Sequence, residues 1–167
     1  SWNKPQDSQL RRMTVEEKVR QLDMYSGCKS LLNKEECFFP TFANAVANFE
    51  PTHAKEDAPF HPEKAEKAFG NLGIGCLHDL YQSPQLYNKV QDWVIKSNRL
   101  GIPAMFFEEG LHGYMSFNQT VFPQSISLST TWNPALAKAT GAAIGAEARA
   151  NGVHMILGPV LDLSRDP

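Results

Sequence analysis

Between Asn71 and Leu163 the sequence alternates apolar runs of strand length with segments of helical period, and a chain punctuated in this way has few folds open to it. "LGIGCLH" is a short strand whose glycines allow close backbone approach. Ser83 and Pro84 then supply the cap and first turn of a helix with Leu86, Val90, Trp93 and Val94 on one face, closing near Gly101. "IPAMFFE" is the next strand, and "SISLST", after a loop through Pro123, reads as a weaker one. Asn133 and Pro134 cap and open "PALAKATGAAIGAEARANG", a helix whose Ala and Gly positions cost propensity but permit close approach to a sheet. It stops at Asn151 and Gly152. "VHMILGPVLDL" follows as a nearly continuous apolar run, the pattern of a strand covered on both faces. Strand, helix, strand, strand, helix, strand is the rhythm of a mainly parallel α/β sheet.

Upstream, Thr14 and Glu17 form a capping-box pattern, and Val15, Val19 and Leu22 share a face, so a helix is expected over 15–25, ended by Gly27. Residues 28–70 break every period with Pro40, Pro51, Pro59 and Pro62 and read as a long irregular excursion or insertion. Within it "HPEKAEKAFG" is a short helix, with Pro62 in the first turn and Gly70 at the stop. Two architectures satisfy this order. A doubly wound nucleotide-binding sheet would carry a Gly-rich phosphate turn, and "LGIGCLHD" offers G-x-G only. A (β/α)8 barrel needs eight strands over about 250 residues, of which about four are supplied here; on that reading this is the N-terminal part of a larger TIM-like barrel.

Sixteen basic and eighteen acidic residues give a net charge of −2, with no like-charge block of the kind that binds nucleic acid. No run of about eighteen apolar residues suggests a membrane span. The start "SWNKPQDSQLRRMT" has no apolar signal core and no initiating Met, as expected of a processed or excised N-terminus. Cys28, Cys37 and Cys76 are too few for a disulfide scaffold and are expected as buried or idle thiols, although a Cys28–Cys37 bridge is sterically conceivable in an oxidising compartment. The five His show no ligand spacing, so neither metal nor cofactor is expected. The sequon "NQT" at 118–120 points weakly toward a secreted or periplasmic protein.

In parallel α/β folds ligands collect at the carboxyl ends of strands, where Glu109, Asp162 and His78 fall. Alternation along "MFFEE" places Met105, Phe107 and Glu109 on one face and Phe106 and Glu108 on the other. The adjacent glutamates therefore cannot be a glycosidase-type catalytic pair, which needs two carboxyls facing one sugar. Glu108 takes the structural reading, as an ion pair or loop cap, and Glu109 the functional one. His112, between glycines, is read as an organiser of its turn more than as a base. In "DLSRDP", Asp162, Arg165 and Asp166 form a loop after a strand, with Arg165 expected in an internal ion pair or near a ligand. Phe122 and Trp132 are expected in the core, with a sugar platform as the alternative.

With these pieces in order, the sequence resembles the N-terminal domain of glycoside hydrolase family 3, the β-glucosidase and β-xylosidase group. The resemblance is carried by "RRMTVEEKVRQL", "NRLGIPAMFFEEGLHG", "TVFPQSISLSTTWNPALAKATGAAIGAEARANGVH" and "LGPVLDLSRDP". It implies a (β/α) barrel followed by an α/β sandwich, a retaining exo-acting mechanism, and glycoside or oligosaccharide substrates. The family's nucleophile and acid/base would both lie beyond Pro167, as would the Arg of its "RWGR" element, so the isolated chain is expected to be inactive. One family sugar contact maps here, the acidic residue three before the His of the "HG" pair, which is Glu109. Many members have Asp there, and Glu gives a longer reach. Its charge-assisted bonds to vicinal hydroxyls would be about twice as strong as neutral ones.

Overall fold

The computed structural model describes residues 4–33, 36–38, 53–54, 58–116, 118–163 and 165. Helices α1 (Lys4–Arg12) and α2 (Val15–Arg20) lead into strand β1 (Met24–Ser26) and helix α3 (Gly27–Leu31). A small antiparallel pair, β2 (Cys37–Phe38) with β3 (His53–Ala54), precedes α4 (Pro62–Phe69), β4 (Cys76–His78) and α5 (Pro84–Ser97). The chain continues through β5 (Met105–Glu109), α6 (Ser125–Ser129), α7 (Pro134–Ala150) and β6 (Met155–Leu157).

The main sheet has the order β1-β4-β5-β6, and every neighbouring pair is parallel. Each new strand joins the edge left by the previous one, with helices in every crossover. A doubly wound sheet reverses direction at a switch point; this one does not, which selects the barrel-type winding. The registers Met24↔Cys76↔Met105 and Phe107↔Met155 then sort the side chains into two faces. Leu77, Phe106 and Glu108 point to the helical layer and are almost fully buried. Met24, Met105 and Met155 point the other way, to the concave inner face, and are each about half exposed, at 51, 46 and 47%.

The core lies between the outer face of the sheet and α3, α4 and α5. Tyr25 meets Phe69 edge-on at 4.9 Å, Phe69 meets Trp93 at 6.1 Å, and Tyr87 packs on Phe106 at 4.9 Å. Ser83 caps α5 through the Leu86 amide, as the sequence predicts, and the helix closes at Asn98, one turn before the Gly101 expected. Pro62 and Gly70 bound α4 in the same way. The capping box of α2 is complete, and Glu17 also takes both Nε and Nη2 of Arg99, at 3.0 and 2.8 Å, joining α2 to the turn before β5.

Several expectations are corrected. The helix expected over 15–25 ends at Arg20 and a strand follows, because the carbonyls of Arg20 and Asp23 accept from Gly75 and Cys76 at 2.8 and 3.1 Å. A Cβ at Gly75 would collide with the Gln21 carbonyl, so that approach needs the glycine. The face of Val15, Val19 and Leu22 is exposed rather than packed. "SISLST" is helix α6, not a strand: Ser129, Thr130 and Thr131 each donate a hydroxyl to the carbonyl three residues back, a local competitor for sheet pairing. The close approach expected of α7 is not found, since Gly141 and Gly145 have nothing within 4 Å of a Cβ position. Trp132 is 92% exposed and is not core. The run 153–163 forms only a three-residue strand, and Val160, Leu161 and Leu163 are exposed.

Segment 28–70 is regular at both ends. Cys28, Leu31, Leu32, Ala65 and Phe69 belong to the core, and Cys28 and Cys37 form a disulfide in place of the idle thiols expected, leaving Cys76 free. Glu36 accepts from the Asn33 amide and pairs with His61 at 2.9 Å, clasping the start of the segment to α4. Deleting the core ring of β5 tests this layering. Phe106→Ala is expected to cost about 3–5 kcal/mol, as for other buried aromatics, read as a lowered urea midpoint.

Candidate active site

The carboxyl end of β5 is built around its two glutamates, which do different things. Glu108 is 1% exposed and gathers the loop that follows β4. Its Oε2 accepts from the Asp79 amide at 3.0 Å, and its Oε1 accepts from the amides of Leu80 and Tyr81 at 3.0 and 3.1 Å and from the Tyr87 hydroxyl. Asp79 and Tyr81 both hold positive φ, 57° and 49°, a region that side chains disfavour. The buried carboxylate thus holds a loop that would otherwise relax. Burial pushes the Glu108 carboxyl up to about 7, against the downward pull of the Tyr87 hydroxyl and the amides of Tyr81 and Leu80.

Glu109 sits on the concave face, partly exposed, with its amide donating to the Tyr81 hydroxyl at 3.4 Å. Burial and the nearby Asp79 raise its carboxyl above the ordinary range, and His78 pulls it back. Its side chain has no hydrogen-bond partner among the described residues, so both carboxylate oxygens can accept from a ligand. His78, one strand over on the same face, bonds Asp79 through Nδ1 at 2.7 Å.

The "EGLHGY" turn is fixed by backbone constraints. A Cβ at Gly110 would strike Ile156, and Gly113 holds φ 136° against the Thr120 carbonyl. His112 bonds Phe122 twice: its Nδ1 lies 3.0 Å from the Phe122 carbonyl, and its own carbonyl accepts from the Phe122 amide at 2.8 Å. It fastens the ends of the 112–122 loop. Asp162 and His112 line one cleft with Leu111, Gln124 and Ser125, but Glu109 does not line it. Arg165 is exposed, with no ion pair among the described residues, and Asp166 lies outside them. Of the predicted site residues, His112 and Asp162 line this one cleft, while Glu109 lies outside its lining and near His78 and Asp79. The Asp79 and Glu108 contacts were not anticipated. Position at a strand end flags His78, but no periodicity announces its Asp79 partner or a loop held by an interior carboxylate.

The chain matches the Glycosyl hydrolase family 3 N terminal domain over residues 14–167 and belongs to that family. Over 95% of its length it is 26% identical to the periplasmic beta-glucosidase of Salmonella typhimurium, of which it spans 16%. It is 40% identical over 72 residues, 40% of this chain and 10% of the other, to a beta-xylosidase of Formosa agariphila. A solved β-glucosidase from Erythrobacter marinus superposes with a TM-score of 0.67 at 24% identity, covering 96% of this chain and 18% of that one. The fold is accordingly part of a (β/α)8-type barrel, and the chain spans under a fifth of these relatives.

The raised Glu108 carboxyl has a signed consequence for stability. Between its ordinary value of 4.5 and about 7, the folded protein holds a proton that the unfolded chain releases. This group's contribution is therefore largest below pH 4.5 and declines as pH rises through about 7, by on the order of 3 kcal/mol. Urea midpoints of wild type and Glu108→Gln at pH 5 and pH 8 should show this decline in the wild type and its loss in the variant.

Proposed function

We propose that the full-length protein carrying this chain is an exo-acting retaining β-glycosidase, a β-glucosidase that releases terminal non-reducing β-D-glucosyl residues. The observation that supports this most is Glu109: a carboxylate without a hydrogen-bond partner among the described residues, on the concave face at the carboxyl end of a barrel strand, three residues before the His of "HG". In this role Glu109 accepts hydrogen bonds from two neighbouring sugar hydroxyls and orients the ring. The rest of the catalytic apparatus, nucleophile and acid/base, comes from other parts of the polypeptide. His112 keeps the loop beside Glu109 in place and touches no substrate. The Cys28–Cys37 bridge fits folding in an oxidising compartment, either the periplasm or the exterior.

A β-xylosidase is the second reading, favoured by the 40% identity to the Formosa agariphila beta-xylosidase across 72 residues. Parallel hydrolysis of 4-nitrophenyl β-glucoside and β-xyloside by the full-length protein separates the two. In that protein Glu109→Ala should lower kcat/KM by about 3–4 kcal/mol of transition-state binding, two to three orders of magnitude, as expected for losing charged hydrogen bonds. Unchanged efficiency would refute the role. The 167-residue chain alone should release no nitrophenol, and turnover that depends on Glu109 would contradict the division of labour stated here.

A further inference from the structure

His78 is a polar side chain of the concave face that the assignment of Glu109 leaves without a task. It pairs in register with Ser26 of β1, and its neighbour Leu77 is buried toward the helices, so strand alternation turns the imidazole to the same side as Glu109. The side chain is 25% exposed, open enough to meet a ligand and enclosed enough to hold one orientation. Asp79 takes Nδ1 at 2.7 Å, which fixes the ring and leaves Nε2 outward, with no partner among the described residues. Asp79 is fixed in turn, because its amide and the next two are held by buried Glu108, and its carbonyl accepts from the Cys28 amide at 3.2 Å.

We propose that His78 is a second sugar-contacting residue of the Glu109 subsite, its Nε2 meeting a hydroxyl of the same terminal pyranose and setting which hydroxyl pattern is accepted. Asp79 orients the ring, and Glu108 positions the loop that begins at Asp79. The inference rests on the glycosidase reading above. Chemically the two residues are complementary. Glu109 only accepts, so it takes hydroxyl protons, whereas His78 can serve a hydroxyl lone pair when its ring is charged. The Asp79 bond, with the charges of Glu108 and Glu109, favours the charged ring over the desolvation that opposes it. His78 and Glu109 lie near enough for each to shift the other's titration.

The test uses the full-length protein with 4-nitrophenyl β-glucoside and its 3-, 4- and 6-deoxy analogues, comparing wild type, Glu109→Ala, His78→Ala, His78→Gln and Asp79→Asn. His78→Ala should raise KM roughly tenfold or more, as expected for a hydrogen bond involving a charged group, with kcat changed far less. The wild-type penalty for one deoxy analogue should vanish in that variant, since the missing hydroxyl and the missing imidazole remove the same contact. Asp79→Asn, which keeps the ring and loses its orientation, should fall between. If every deoxy analogue is penalised equally in wild type and His78→Ala, His78 only supports its loop and the proposal is overturned. His78→Gln is read identically should the alanine variant fail to fold. A Glu109→Ala defect with an unaffected His78 variant overturns this inference alone; a wild type without β-glycosidase activity, or an unaffected Glu109→Ala, overturns the underlying reading as well.

Discussion

A carboxylate removed from water is tolerated only when its lone pairs are used, and Glu108 uses them on the one loop that most needs holding. Three consecutive amides, from Asp79 to Tyr81, converge on it, and the Tyr87 hydroxyl completes the set. The loop amides gain an acceptor that no strand could offer, and the acid gains donors in place of solvent. Because Asp79 and Tyr81 sit at positive φ, this convergence also fixes a backbone shape that their side chains disfavour. The placement of His78, Asp79 and Tyr81 around Glu109 follows from it. The mouth of this part of the barrel is thus organised from beneath, by a group buried under the concave face.

The same sheet explains why the helical side is finished and the concave side is not. Aromatic and aliphatic residues of α3, α4 and α5 close over the outward positions of the strands, while the inward methionines remain half exposed. Excursion 28–70 is fastened at its base by the Cys28–Cys37 bridge, the Glu36–His61 pair and buried Ala65 and Phe69. The Arg99–Glu17 pair does similar work for the N-terminal helices.

Much of this was legible wherever a local rule had no rival. Capping at Thr14, Ser83 and Asn133, whose side chains accept from amides three residues on, and proline at the first turn of α4, α5 and α7, whose ring fixes its own φ, set helix starts. Alternation separated Glu108 from Glu109 without any tertiary knowledge. The rest was hidden where distant partners decide. Strand β1 was absorbed into a helix because the carbonyls of Arg20 and Asp23 are claimed by Gly75 and Cys76, more than fifty residues on. The apolar spacing of "SISLST" reads as a strand, but the back-bonding of Ser129, Thr130 and Thr131 accompanies a helix there. Hydrophobicity points Trp132 to the core, with a sugar platform as the alternative, yet it stands exposed on the turn into α7 at φ 50°. Glu108 faces the helical layer as alternation requires, but in place of the expected ion pair or cap to the loop after β5 it holds three amides some thirty residues upstream, where no sequence period connects them.

The parity of β5 behaves like a reading frame. Odd positions face the concave side and even ones the helical layer, and the two acids occupy one of each. A single-residue insertion before Glu108 would not merely weaken this arrangement. It would exchange the acids, turning the loop anchor out into the concave mouth and driving the exposed one into a layer where three amides wait at the wrong height. The strand therefore tolerates substitution far better than it tolerates a change in length, and selection on β5 should act on its register before its composition.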